Sequence, residues 1–447
     1  MYKGILILFV ILVSSKWLQA QQIDIQIDGI TSGKAYLYEL IGEQTVLKDS
    51  IPVAGDGSFR FSISGSTYHI GFYRFNFGNK KLIDFVNDGD DIYLKTNSKN
   101  VFDSIQIIKS ESNKLFYSFI KLNKLYKTKS ELLQLILLRY PKEDEYYQTT
   151  QNKLTTLQKE YTDFVYAASH NKGNLFIGRY IRSAQLPIIP LDIQQEKILD
   201  YLKSHSLANV DFNDYQLIYS DIFVNKTIEY LTYYRNPQLP KELLEKEFMS
   251  AVDTLLNKAR VNQIVYQHLV EYLIDGFKKF GFDKILDYIV DNYVIKDDLC
   301  LDVKTEGLIK RRIDQAKFLK VGAVAPNIFL PDTSGKDIEL YKINSFKTLL
   351  VFYASWCPHC KELLPKLKGL KNIDVVAVSL DTNRIDWLNF VRDNSLKYLN
   401  VSDQKGWDGK AAGDYFIYAT PTMFLLDSNK KIIGKPVNYD ELKAFVN

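Results

Sequence analysis

At 447 residues, with 46% hydrophobic and 25% charged side chains, the chain has the composition of an ordinary globular protein and the length for two or three domains, each with its own core. Its formal charge of +4 falls to +2 without residues 1–20, which hold Lys3 and Lys16 but no acid. That is too little to argue for nucleic acid or an anionic membrane surface as a partner, and three cysteines are too few for a disulfide-stapled scaffold.

The chain opens on Lys3, an apolar run from Ile5 to Val13, and Leu18-Gln19-Ala20. This is the layout of an export signal cleaved after Ala20, in preference to an uncleaved anchor formed with its flanks, since the run alone is too short to span a bilayer. Gln21 stands where a lipoprotein would carry cysteine, and no later stretch is apolar enough for a transmembrane segment. The expected location is the periplasm or cell envelope, where disulfides are permitted.

Residues 22–110 alternate at period two. Ile23, Ile25 and Ile27 interleave with Asp24, Gln26 and Asp28, and Phe59, Phe61 and Ile63 with Ser58, Arg60 and Ser62. Turn signals at Gly55-Asp56-Gly57, Gly78-Asn79 and Asn87-Asp88-Gly89-Asp90 separate these runs, so an antiparallel β domain, sandwich or barrel, is expected. Asp88, Asp90 and Asp91 lack the spacing of a calcium loop and read as a solvated turn.

From 111 to 318 the period becomes helical, with apolar faces at Leu115, Phe119 and Leu122 and at Leu154, Leu157, Tyr161, Phe164 and Ala168. Further helices are predicted near 193–204, 221–234, 240–258 and 261–292. The tyrosines of this all-α region, and His170, His205 and His268, read as packing or surface residues rather than ligands. Cys300 reads as a small buried apolar residue.

Residues 321–447 alternate strand and helix signals, which implies a three-layer α/β domain. Lys347 to Tyr353 is a near-continuous apolar run, the mark of a buried strand, and Leu363, Leu364, Leu367 and Leu370 recur at helical spacing. Between them lies Ser355-Trp356-Cys357-Pro358-His359-Cys360. Cys357 is thus placed at a helix N-terminus, where unpaired N–H groups and the positive end of the dipole favour a thiolate. Pro358 suits the first helical turn, His359 offers a donor beside the sulfur, and Cys360 is within reach of an internal disulfide. The expected chemistry is attack by Cys357 on a partner disulfide, resolved by Cys360. A zinc site would need two further ligands at ligand spacing; none is present, and no metal or cofactor is expected.

The lead-in Gly322-Ala323-Val324-Ala325-Pro326, the Trp356-Cys357-Pro358-His359-Cys360 motif, Pro365 and Ala419-Thr420-Pro421-Thr422 together resemble the thioredoxin-fold domain of the TlpA/ResA-like thiol-disulfide oxidoreductases. The resemblance implies a cis-proline at Pro421 and a groove in which the Thr420 backbone pairs with an extended peptide. It implies disulfide-containing exported proteins as substrates and a membrane thiol-disulfide carrier as electron partner. The β and helical regions resemble, in pattern only, the N-terminal extension of large proteins of this type. Two departures stand out: the strand point where such enzymes bury an acid is Val351, and the position of a family glutamate is Leu363. Glu362 or water is left as acceptor for the Cys360 proton. A reductase is expected ahead of the alternatives, a disulfide-forming oxidase or a glycan- or protein-binding module with a vestigial redox domain. A peroxidase would need Thr-x-x-Cys, but Ala354-Ser355-Trp356 precedes Cys357.

Overall fold

The computed structural model describes residues 21–63, 68–77, 82–297, 299 and 308–446. The leader read at 1–20, the Gly78-Asn79 turn and Cys300 lie outside the described residues. The chain divides into two compact units, Met1–Tyr272 and Leu273–Asn447.

The first unit begins with eight strands in two four-stranded sheets. One, ordered β4-β1-β7-β8, is built from β1 (Gln21–Asp28), β4 (Ser58–Ile63), β7 (Ile92–Asn97) and β8 (Gln106–Lys109). The other, ordered β3-β2-β5-β6, takes β2 (Lys34–Ile41), β3 (Gln44–Pro52), β5 (Gly71–Phe77) and β6 (Leu82–Asn87). The period-two residues do what their spacing dictates: Ile23, Ile25, Ile27, Phe59 and Phe61 point inward against Phe75 and Phe85 of the facing sheet. Phe59 and Phe75 meet edge to face at 4.9 Å. The pairings are antiparallel except β1 with β7, which run parallel. The stretch between those two crosses through the second sheet and returns in the same direction.

Helices follow: α1 (Glu111–Arg139), α2 (Glu145–Asn171), α3 (Phe176–Ala184), α4 (Ile198–His205), α5 (Ile222–Thr232), α6 (Lys241–Ala259) and α7 (Gln263–Lys279), within which the division between units falls. The buried face of α1 is turned slightly from the one its leucines suggest: Phe116, Phe119 and Tyr126 are buried, while Leu115 and Leu122 are half-buried. Asn113 supplies the reason. Its side chain exchanges two 2.8 Å hydrogen bonds with the backbone of Val86 and so extends the β6 edge. The acidic turn is structural as well. Asp88 accepts from the N–H groups of Phe176 and Ile177 and so caps α3, and Asp91 pairs with Lys109. Among the described residues no helix is long and apolar enough to cross a membrane.

The second unit contains α8 (Asp283–Ile289), which widens into a π-helical turn at Val290–Ile295, and α9 (Leu308–Phe318). A hairpin, β9 (Phe329–Pro331) with β10 (Asp337–Glu339), leads into a five-stranded sheet ordered β13-β12-β11-β14-β15. Its strands are β11 (Lys347–Tyr353), β12 (Asp374–Ser379), β13 (Leu399–Val401), β14 (Thr422–Asp427) and β15 (Ile432–Gly434). The strands β11, β12 and β13 are parallel; β14 is antiparallel to β11, and β15 to β14. Helices α10 (Pro358–Leu363), α11 (Arg384–Asp393), α12 (Lys410–Asp414) and α13 (Tyr439–Val446) complete it. The multidomain architecture is therefore β, then helical, then α/β. Strand β11 is central and wholly apolar from Leu349 to Tyr353 because both its faces are covered.

Candidate active site

The site lies at the carboxyl end of β11, where parallel α/β sheets expose the loops that carry chemistry. After Tyr353 the chain turns through Ala354-Ser355-Trp356 and enters α10, with Pro358 in its first turn and Cys357 as N-cap. The Cys357 sulfur accepts from the N–H of Cys360 at 3.4 Å, an orphan donor of the first turn. It also lies 3.3 Å from the Thr420 carbonyl oxygen, to which its thiol donates. The Thr420–Pro421 peptide bond is cis. Both thiols are free. The two cysteines differ in setting: Cys357 retains 4% exposure, whereas Cys360 is fully enclosed. Burial, then the neighbouring Cys357 sulfur, push the Cys360 thiol well above its ordinary range.

The structure brings Cys357, Cys360 and Thr420 together, and Trp356, Pro358, His359 and Pro421 adjoin them in the chain. Trp356 is 56% exposed beside the sulfur. Pro358 and His359 are exposed, and Thr420 and Pro421 are half-buried opposite. Glu362 is exposed as well. Two residues on from Cys360, it projects from the far side of the helix, so the helical period removes it from the enclosed sulfur.

The motif strand carries Val351 where such enzymes bury an acid, and the buried acid of this region stands against Ser355 instead. Asp381, just past the end of β12, is buried. Its carboxylate accepts from Ser355 N (3.0 and 3.2 Å), Ser355 Oγ (2.6 Å) and Ser379 Oγ (2.6 Å). Beneath it, Tyr353 donates to Asn400 Oδ1 at 3.1 Å and accepts from Trp387 Nε1 at 2.9 Å. This polar layer fixes the loop that presents Cys357. A lone acid after a buried strand carries little signal; its place at the sheet's carboxyl edge, beside the motif strand, is what could have found it. Among the described residues, no group of three or more His, Cys, Asp or Glu is placed to hold a metal ion.

Comparison with known proteins shows what the C-terminal region is similar to. The AhpC/TSA family profile matches residues 321–435. The chain is 34% identical over 124 residues to the thiol-disulfide oxidoreductase ResA of Bacillus cereus, covering 26% of this chain and 69% of the relative. It is 33% identical over 134 residues to sporulation thiol-disulfide oxidoreductase A of Bacillus subtilis, covering 27% and 78%. Among solved structures, the thioredoxin domain of a Bacteroides vulgatus thiol-disulfide oxidoreductase matches at 26% identity, 29% of this chain and 99% of that chain, with a TM-score of 0.27. Through its C-terminal thioredoxin-fold domain, the chain belongs to the ResA-like family of thiol-disulfide oxidoreductases.

Proposed function

We propose that the protein is exported and reduces disulfides in other envelope proteins. Cys357 is the attacking sulfur. It forms a mixed disulfide with one sulfur of the partner, the partner's S–S bond breaks, and the released sulfur takes up a proton. Cys360 then gives up its proton and attacks the Cys357 sulfur. The partner's second thiol leaves, and a Cys357–Cys360 disulfide remains. Two electrons have passed to the partner, and a membrane thiol-disulfide carrier restores the dithiol.

The observation that carries this reading is the asymmetry of the pair. One sulfur sits at a helix N-terminus against the Thr420 carbonyl; the other is sealed behind it. Trp356, Pro358 and His359 frame the first sulfur, and Thr420 and Pro421 offer backbone to an extended peptide. We assign residues 22–110 as a β domain, 111–318 as a helical domain and 321–447 as the catalytic domain, the first two selecting partners. Residues 1–20 direct export.

An insulin-reduction assay tests the roles. Both Cys357→Ser and Cys360→Ser should abolish turnover, and Cys360→Ser should accumulate a mixed disulfide through Cys357. Wild-type turnover in either variant refutes the scheme.

A further inference from the structure

The segment joining α12 to β14, residues 415–421, ends at the Thr420 carbonyl that faces Cys357. Connecting segments need partners for their backbone carbonyls, and here they come from α9, about a hundred residues earlier in the chain. Gln315 of α9, itself buried, donates its Nε2 to the carbonyls of Tyr415 (3.0 Å) and Phe416 (3.3 Å). Arg311 donates to the carbonyls of Ile417 (3.1 Å) and Trp407 (3.0 Å). Phe416 has a φ of +47°, a left-handed conformation that a bulky residue keeps only when its surroundings impose it. Phe318 lies over its ring at 5.7 Å.

The charged centre of this contact is Arg312, whose side chain is only 6% exposed. Asp283 and Asp287 stand one turn apart on α8. Arg312 Nη2 donates to Asp283 Oδ1 at 3.1 Å, and its Nε lies 3.1 Å from Asp287 Oδ1. The guanidinium carbon sits 4.4 Å from the centroid of the Tyr418 ring, and Tyr418 donates its hydroxyl to the same Asp287 oxygen at 3.1 Å. All four residues from 415 to 418 are therefore gripped by α8 or α9, two positions before Thr420.

We propose that α8 and α9 brace the 415–421 peptide, with Arg312 as a positioning residue that sets the Thr420 backbone for pairing with a substrate peptide. This rests on the exchange function proposed above. The brace acts on the half of the site that reads an extended chain, not on the sulfur. It therefore matters for protein disulfides and little for small reagents that need only reach Cys357.

The test compares two oxidants with the full chain in its reduced form: insulin, and the small aromatic disulfide 5,5′-dithiobis(2-nitrobenzoic acid). Losing the charged contacts in Arg312→Met should lower kcat/KM for insulin by about tenfold, chiefly through KM, with the small disulfide within about twofold. Arg312→Lys, which keeps the charge but loses the planar fork that spans two carboxylates and the Tyr418 ring, should fall between Arg312→Met and wild type with insulin. Equal loss with both oxidants, or loss with neither, overturns the brace. Gln315→Ala, which removes two hydrogen bonds and no charge, carries the same comparison if Arg312→Met does not fold. Amide exchange across 415–421 in these variants tests the brace without turnover. A rise of about tenfold is expected there, and unchanged exchange overturns it. A wild type that reduces no disulfide, with exchange raised in the variants, would count against the proposed function alone.

Discussion

Asp381 and Ser355 are joined by both the backbone N–H and the hydroxyl of the serine, 26 positions apart and two residues before Cys357. The bond crosses from the end of β12 to the end of β11, so one carboxylate decides where the active-site loop leaves the sheet. Asp381→Ala strands the Ser355 N–H and the Ser379 hydroxyl, and hydrogen bonds to a charged acceptor are the strong ones. We expect a loss of about 3 kcal/mol in a denaturant titration. Asp381→Asn, which keeps an acceptor for Ser355, should lose less.

The enclosed thiol gives a second expectation. Because burial holds the Cys360 proton well above the ordinary cysteine range, little thiolate exists there at neutral pH. In Cys357→Ser, iodoacetamide should label Cys360 at least about a hundredfold more slowly than a free cysteine, read by mass spectrometry of that peptide. Labelling at the free-thiol rate would mean that the sulfur is not enclosed.

His268 gives the pH dependence. Among the described residues its Nε2 is buried without a hydrogen-bond partner, and Gly42 lies so close that a Cβ there would stand 2.8 Å from the ring. Burial pulls the imidazole down to about 4 from its ordinary 6.5. The unfolded chain therefore binds a proton between those values and the folded chain does not. Stability is full above pH 6.5 and declines as pH falls toward 4, by about 3 kcal/mol in all from this residue. His268→Leu should flatten that acid limb in urea titrations between pH 7 and 4.

Asn113 gives a fourth. Replacing it with alanine leaves the N–H and carbonyl of Val86 buried and unpaired. We expect about 3 kcal/mol of destabilisation in the first unit, seen as a lower thermal midpoint.

What was legible in the chain follows from where the signal is local. Strand β11, the cysteine pair and Pro358 announce themselves because apolar runs, spacing and capping are read within a dozen residues. The period-two isoleucines of β1 reveal their buried face, but not that Ile25 lies beside Leu94 of a parallel neighbour, since pairing partners leave no mark on a single strand. Asp381 and Arg312 were not legible for a related reason. An acid after a strand, or an arginine in a polar helix such as Lys310-Arg311-Arg312, looks solvated until the partner from another part of the chain is in place. Glu362 is adjacent to the motif in sequence, and the helical period turns it away from Cys360.

Strand β11 pairs with β14 so that Phe352 stands opposite Thr422. Cys357 follows the first strand and Thr420 precedes the second, so both sides of the Cys357–Thr420 contact are tied to a single ladder of backbone hydrogen bonds. Inserting or deleting one residue between Tyr418 and Thr422 would either shift that ladder or rotate the 420 carbonyl away from the sulfur. Extra residues at the Asp427–Lys430 hairpin, beyond the far end of β14, would reach neither. Across related sequences, length variation should therefore be tolerated at that far turn and purged from the three residues before β14.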